Sequence, residues 1–263
     1  MIEINPSQVT PKFTTLFERG IPTGIRCIAV LGGGNAGRIF VDDLADPRLG
    51  YVWEQDDGTL YQGGAVDAAQ LLEMVALLRQ TGIVALAFRE NDPMLDIFPP
   101  QPDAGAECLE LERAASGSDL TPHLQLPAGY QVFHLSYELI EKSPRLGDTL
   151  ARYVGLESYL ESGLGICLLH GDEYVCTARA DMEVDKVREV GIITEPAHRG
   201  RGLGTIAVAH LLNWCDELGC STYWDCARYN IGSVKIAHKL GYGNQREYRL
   251  LAWFPPRKEV RIG

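Results

Sequence analysis

The stretch His198-Arg199-Gly200-Arg201-Gly202-Leu203-Gly204-Thr205 holds the residue types that grip a phosphate anion. It follows a β-branched run, residues 190–194, and leads directly into a long amphipathic stretch, residues 203–218. Its glycines let the chain curl so that successive backbone N–H groups point into one concavity, and a helix starting there adds positive potential at the same spot. Arg199 and Arg201 bring full charges suited to phosphate oxygens. The plainer alternative is a basic loop that does no more than begin a helix.

A second glycine run lies near the N-terminus. Gly32, Gly34 and Gly37 spell G-x-G-x-x-G after the apolar run Ile28-Ala29-Val30-Leu31, the outline of a dinucleotide-binding turn. Such a turn needs a helix to open at its third glycine. Only nine residues separate Gly37 from Pro47, and the first of them lean toward strand. The expectation is a glycine hairpin turn between two strands. Asp57 stands where a ribose-binding acid would, so a nicotinamide dinucleotide site stays open as a rival.

Both loops depend on the elements around them. Residues 7–19 allow a short helix, and runs at 26–31, 38–41 and 51–53 read as apolar segments about the first glycine loop. Helical spacing of Ala68, Leu71, Leu72, Val75 and Leu78 predicts a helix closed by Gly82, followed by a strand over 83–88. Residues 107–113 alternate as a strand. Polar, proline-bearing residues 114–128 mark a boundary between domains at 1–120 and 126–263. Beyond it come a strand at 130–135, helical material to about residue 162, and strands at 165–169, 174–180 and 187–194. The helix 203–218, a strand at 222–227, a helix at 231–240 and a strand at 247–253 follow. This is an α/β chain of the α+β type with a mixed sheet. Helix, Gly82, strand and Arg89-Glu90-Asn91 parallel helix, Gly219, strand and Arg228-Tyr229-Asn230, so the smaller first domain reads as a degenerate repeat of the second.

The segment 188–242 resembles the coenzyme A-binding core of the GNAT superfamily of N-acetyltransferases. Its R/Q-x-x-G-x-G/A motif is matched by Arg199, Gly202 and Gly204, and its N-x-x-[AS] helix start and closing G-[FY] by Asn230, Ser233, Gly241 and Tyr242. More loosely, the whole chain looks like the branch that includes zwittermicin-resistance acetyltransferases, whose extra N-terminal domain carries a stretch like Val41-Asp42-Asp43 to Pro47. The resemblance implies a GNAT acyl-CoA N-acyltransferase fold preceded by a smaller accessory domain, with acetyl-CoA as co-substrate and no metal.

The resemblance also implies roles. Backbone groups of Gly200, Arg201, Gly202, Leu203, Gly204 and Thr205, with Arg199, would cradle the carrier's diphosphate. The pantetheine arm would lie along residues 190–194, with Ile192, Ile193 and Thr194 as its contacts, where the family's strand parts from its neighbour, and with Asn230 and Ser233 facing it. Asn230 also suits a helix N-cap, and Ser233 an exposed first-turn position. Glu189 matches the family's carboxylate that relieves the acceptor ammonium of its proton, or is a solvated strand acid. Ala237 occupies the position of the family's thiol-side tyrosine. His238 is the adjacent substitute, although one step along a helix turns a side chain by about 100°. Tyr229 and Tyr242 are weaker alternatives. Asp225 and Glu157 could hold a cationic amine or serve as surface acids.

Composition narrows the classes. A net charge of −11 disfavours nucleic acid as a partner. No apolar run spans a membrane, and the N-terminus lacks a secretory pattern, so the expected location is cytoplasmic. Seven scattered cysteines without C-x-x-C spacing predict free buried thiols rather than disulfides or zinc. The resulting expectation is an N-acetyltransferase that modifies an amine on a small molecule, with antibiotic resistance or detoxification as its role and room for a homodimer. The alternative is a non-catalytic acyl-CoA sensor or protein-interaction module.

Overall fold

The computed structural model describes residues 1–17, 20–97, 102–143, 147 and 156–256. The chain divides into two compact units, Met1–Cys108 with Glu247–Gly263, and Leu109–Arg246.

In the first unit, β1 (Ile2–Ile4), β2 (Gly37–Val41), β3 (Leu49–Glu54) and β4 (Leu60–Gly64) form an antiparallel sheet in that order. Helices α1 (Pro11–Thr14) and α2 (Gly24–Leu31) lie in its first half. Helix α3 (Ala68–Leu78) crosses over to β5 (Val84–Phe88), and α4 (Met94–Ile97) follows. Side chains alternate across the sheet. Ile39, Val41, Val52 and Tyr61 therefore pack with Phe13, Cys27, Val30 and Leu31 from α1 and α2. Phe40, Tyr51 and Trp53 point the other way, into a core with Leu71, Met74, Val75 and Leu78 of α3.

The first glycine run differs from the sequence expectation. The segment before it is helix α2, not a strand, because Cys27, Ala29, Val30 and Leu31 are buried on the sheet. Gly33, at φ +76°, ends that helix. Gly37 already belongs to β2, and a Cβ there would lie 2.6 Å from Val30, so it is glycine because α2 presses on it. The turn joins helix to strand rather than two strands. No helix starts after Gly37, which removes the basis for a dinucleotide cradle. Asp57 pairs with Arg26 of α2.

In the second unit, strand order is β6 (Ala104–Arg113), β11 (Ser221–Ala227), β10 (Val187–Thr194), β9 (Glu173–Val184), β8 (Leu164–His170) and β7 (Tyr130–His134). Between β7 and β8 lie α5 (Tyr137–Glu141) and α6 (Leu156–Ser162). Most of the stretch between those two helices falls outside the described residues. Helix α7 (Leu203–Glu217) connects β10 to β11, and α8 (Ile231–Lys239) follows β11. Leu203, Ala207, Val208, Leu211 and Leu212 of α7 pack on Ile166, Leu168, Ala178 and Val190 of the sheet. The last strand, β12 (Gly243–Trp253), pairs antiparallel with β5 in the first unit from Arg249–Phe88 to Trp253–Val84. The unit boundary falls inside β6 and β12.

The two units repeat one order: four antiparallel strands, a crossover helix, then a strand. In the second unit that strand runs parallel to the one before the helix. In the first, Thr59, just ahead of β4, makes a single parallel bridge with Ala85 of β5. Among the described residues all seven cysteines are free, and only Cys226 is not fully buried. No described helix is long and apolar enough to cross a membrane.

Two buried polar arrangements carry stability consequences. Arg113, with its side chain 0% exposed, donates to both oxygens of Asp216 at 2.8 Å and joins β6 to the end of α7. Replacing Asp216 with alanine leaves that guanidinium buried without its carboxylate. A loss of about 3–5 kcal/mol in urea unfolding is the expected result.

Glu54, at the end of β3, accepts from the Asp56 and Asp57 backbone N–H groups and from Asn35 Nδ2. Burial pushes its carboxyl from the ordinary 4.5 up to about 7, against the backbone hydrogen bond from Asp57 and the nearby Arg26, which pull it down. The folded form therefore holds this proton to higher pH than the unfolded form does. Stability is present below the unfolded value and is lost as pH rises through about 7. Thermal unfolding of E54Q against the unmodified chain should show the variant gaining about 2 kcal/mol between mildly acidic and mildly alkaline buffer; a pH-independent difference would contradict the assignment.

Candidate functional site

The site begins where two parallel strands separate. Val187, Arg188 and Glu189 of β10 face Ser221, Thr222 and Tyr223 of β11, and the ladder ends there. From Val190 to Thr194, β10 keeps its pairing with β9. That second ladder is irregular at the same level. Arg188 faces Glu183 and Val190 faces Ala180, so Asp181 and Met182 stand opposite the single Glu189. A bulge of this kind sharpens local twist and turns a strand away from its neighbour.

The parting opens a cleft of about 780 Å³. The far half of β10 forms one wall and Trp224, Asp225, Cys226 and Ala227 of β11 form the other. At its end lies the loop before α7. Gly200 and Gly202 have φ of +76° and +79°, a region that side chains disfavour. Gly202 is the N-cap of α7, and no side chain caps that helix, so its first N–H groups are not taken up by a cap. A Cβ on Gly204 would lie 2.9 Å from Ile192 Cδ1 and 3.1 Å from Ile236 Cδ1, which is how closely α7 approaches β10 and α8.

The structure brings most of the sequence-predicted residues together. Ile192, Ile193, Thr194, Arg199, Gly200, Gly202, Leu203, Gly204, Thr205, Asn230 and Ser233 all line the cleft. Arg199 Nε donates to the Thr194 carbonyl at 3.0 Å, which folds the loop back on the strand. Asn230 caps α8 by accepting from the Ser233 N–H at 3.3 Å. Ser233 Oγ accepts from Trp224 Nε1 at 3.0 Å, so the serine also anchors a buried indole.

Other predicted residues lie elsewhere. Arg201 is absent from the lining, and its Nη1 donates to the Tyr130 hydroxyl at 3.2 Å. His238 is exposed in the last turn of α8 and does not line the cleft, whereas Ala237 is buried. The rotation between neighbouring helix positions separates them. Tyr229 is exposed, and Tyr242 packs edge-on against Trp224 in the core. Glu157 is exposed on α6. Glu189 is 9% exposed, at the point where the strands part, and does not line the cleft itself.

Glu189 belongs to a polar patch on the sheet face turned away from α7. Val190 and Ile192 pack toward α7, so Glu189 and Gly191 point the other way. Opposite Gly191 lies Arg179; a Cβ on Gly191 would sit 3.3 Å from its Nη2 and 3.6 Å from Asp181 Oδ2. Arg179 and Asp181 are a buried pair at 3.8 Å. Tyr223, beside Glu189 in register, donates to buried Glu110 at 2.9 Å, and Arg246 Nε reaches the same carboxylate at 2.7 Å. Sequence reasoning found Glu189 but not Arg179, Asp181, Tyr223 or Glu110, because no motif links residues on four strands. Trp224, Cys226 and Ile236 of the lining were also missed, and His198 stood in the phosphate-binding stretch without a role of its own. The alternation of β11 was the one signal that could have placed Trp224 and Cys226.

Among the described residues the first unit shows no such loop. Its crossover helix α3 is capped by Asp67, which accepts from the Gln70 N–H at 2.8 Å, while Gln70 reciprocates. A carboxylate already occupies the place an anion would take. No group of three or more metal-ligating side chains occurs among the described residues.

Parted parallel strands, a glycine-rich loop and a helix start without a side-chain cap define an α/β fold with an open cleft between two strands. Comparison with known proteins gives the family. The GNAT acetyltransferase family model matches residues 25–251, and the chain belongs to that family. The uncharacterized N-acetyltransferase YdfB of Bacillus subtilis (strain 168) is 26% identical over 129 residues. That match spans 48% of this chain and 49% of that protein, about half its length. Among solved structures, a GCN5-related N-acetyltransferase-like protein from Streptococcus suis 89/1591 superposes with a TM-score of 0.68 at 22% identity, covering 90% of this chain and 95% of that one. A GCN5-related N-acetyltransferase from Kribbella flavida gives 0.60 at 17% identity over 92% and 98%. A tandem GNAT protein from the clavulanic acid biosynthesis pathway gives 0.64 at 10% identity over 94% of both chains, in keeping with the repeated fold.

Proposed function

We propose that the second unit transfers an acetyl group from acetyl-CoA to an amine of a small molecule, and that the first unit is an accessory GNAT-like unit without a carrier site. The observation that carries this reading is the cleft between β10 and β11 with the glycine loop and uncapped α7 at its end. A diphosphate fits that end. Backbone N–H groups of residues 200–205 supply donors, the helix start supplies positive potential, and Arg199 supplies a full charge. The unpaired edge of β10 along Ile192 and Ile193 offers main-chain groups to the amides of a pantetheine arm.

In the transfer, an amine nitrogen bonds to the acyl carbon, the carbon–sulfur bond breaks, and the sulfur leaves as thiolate. The amine must shed a proton to attack. Glu189 is our candidate to receive it, directly or through water, because it stands where β10 leaves β11. The chain's net charge of −11 favours a cationic acceptor. Proximity within a ternary complex supplies further acceleration. A role in antibiotic resistance or detoxification rests on the resemblance to the resistance branch alone.

One observation favours the alternative of a non-catalytic acyl-CoA sensor: buried Ala237 and outward-facing His238 leave the thiol side without the family's usual acid. Amine-dependent release of free thiol separates the readings, since a sensor releases none.

Calorimetric titration with acetyl-CoA should give one site per chain. G202V and G204V should each weaken binding at least tenfold, one through its positive φ and the other by filling the contact with Ile192. Intact affinity in both variants would remove the cradle from the reading. For E189Q the expected result is a fall in kcat of about a hundredfold with carrier affinity held; an unchanged kcat would dismiss Glu189 as the base.

A further inference from the structure

One histidine ties the phosphate loop to the sheet. His198 closes the short turn Pro196–His198 just ahead of the glycines, and it lines the cleft with its side chain 7% exposed. Its Nε2 lies 3.2 Å from Glu173 Oε1 at the start of β9. Its Nδ1 lies 3.4 Å from the Tyr130 hydroxyl on β7, the same oxygen that accepts from Arg201 Nη1. His170, at the end of β8, stacks on the Tyr130 ring at 4.7 Å and stands 6.2 Å from the His198 ring. Glu173, His198, Tyr130 and Arg201 thus form one connected chain that begins on the sheet and ends inside the loop.

The hydrogen-bond logic of that chain allows two charge states. A carboxylate only accepts, so the contact with Glu173 keeps a proton on Nε2. In the neutral ring, Nδ1 then accepts from the Tyr130 O–H. A second proton makes Nδ1 a donor, and the tyrosine oxygen can accept from His198 and Arg201 together. Only a hydroxyl hydrogen has to turn, so no heavy atom moves.

The groups the structure places against His198 are Glu173 from β9, Tyr130 from β7 and His170 from β8, with Arg201 one step further on through the Tyr130 hydroxyl. Glu195 and Arg199 adjoin it in sequence, and α7 starts at Leu203. A diphosphate entering the cleft that His198 lines would bring negative charge beside the imidazole. We propose that His198 is a positioning residue for the carrier's diphosphate and that it takes up a proton as the carrier binds. The inference rests on the reading of the cleft as a carrier site.

The test is calorimetry of coenzyme A binding in buffers of different ionisation enthalpy, which counts protons taken up. The comparison uses the unmodified chain, H198N and E173Q, between about pH 6 and pH 8. Ionisation of the ligand's own phosphate is common to all three proteins, so differences isolate the histidine. The unmodified chain should take up more protons than H198N, and E173Q should move that uptake to lower pH. Its affinity should rise on acidification about fivefold more than that of H198N. Equal proton counts and parallel affinity profiles would overturn the proposal. Should H198N fail to fold, E173Q alters an exposed side chain, and proton uptake at the same pH as in the unmodified chain would overturn the proposal. A wild-type chain that binds no coenzyme A at any pH would overturn the carrier reading itself, a result distinct from binding without proton uptake.

Discussion

The pairing of β10 with β11 stops after Glu189 and Tyr223 while the pairing of β10 with β9 continues to Thr194. Everything at the site follows from that early stop. It frees one edge of β10, opens the cleft, and leaves room for the loop that leads into α7. The parting is held open from both sides. The irregularity on β9 bends β10 away, and α7 fills the space above the sheet with Ala207, Val208, Leu211 and Leu212. A one-residue change of register on one strand thereby becomes a groove long enough for an extended ligand.

The two units show how little separates an open helix start from a closed one. Both place a helix after four antiparallel strands. In the second unit the helix opens at Gly202, and its first N–H groups face the cleft without a side-chain cap. In the first, Asp67 and Gln70 satisfy those donors reciprocally. A capping box stabilises a helix by removing the positive potential that an anion would use. Stability of α3 and anion affinity at its start are alternatives, and the sequence of each loop selects one.

The face of the sheet away from α7 carries the opposite bargain. Arg179, Asp181, Glu110 and Tyr223 are buried polar groups, and burial of charge is costly unless partners are close. Their convergence beside Glu189 concentrates carboxylates where the strands part. His198 lies near the other end of the same strand and couples the loop to β7 and β9. Acyl transfer would need both ends at once, one to hold the diphosphate and one to handle the amine's protons.

Local chemistry was legible from residues alone. The glycine and arginine spacing of 199–204, the periodicity of α3 and α7, the capping of α8, and the repeated helix–glycine–strand order all depend on neighbours within a few positions. The helix α2 was not legible, because Ile25, Ile28 and Val30 favour strand and only burial against β2 and β3 overrides them. Nor could sequence show that Arg201 turns to Tyr130, that burial raises the Glu54 carboxyl, or that Glu173 meets His198. Those facts join residues 19 to 71 positions apart or depend on how deeply a group is buried. The sequence by itself determined the cradle and the elements that flank it, since backbone curl and helix phase are set by adjacent side chains. Only the tertiary structure decided which charges share a site, because strand register and burial are properties of the packed sheet.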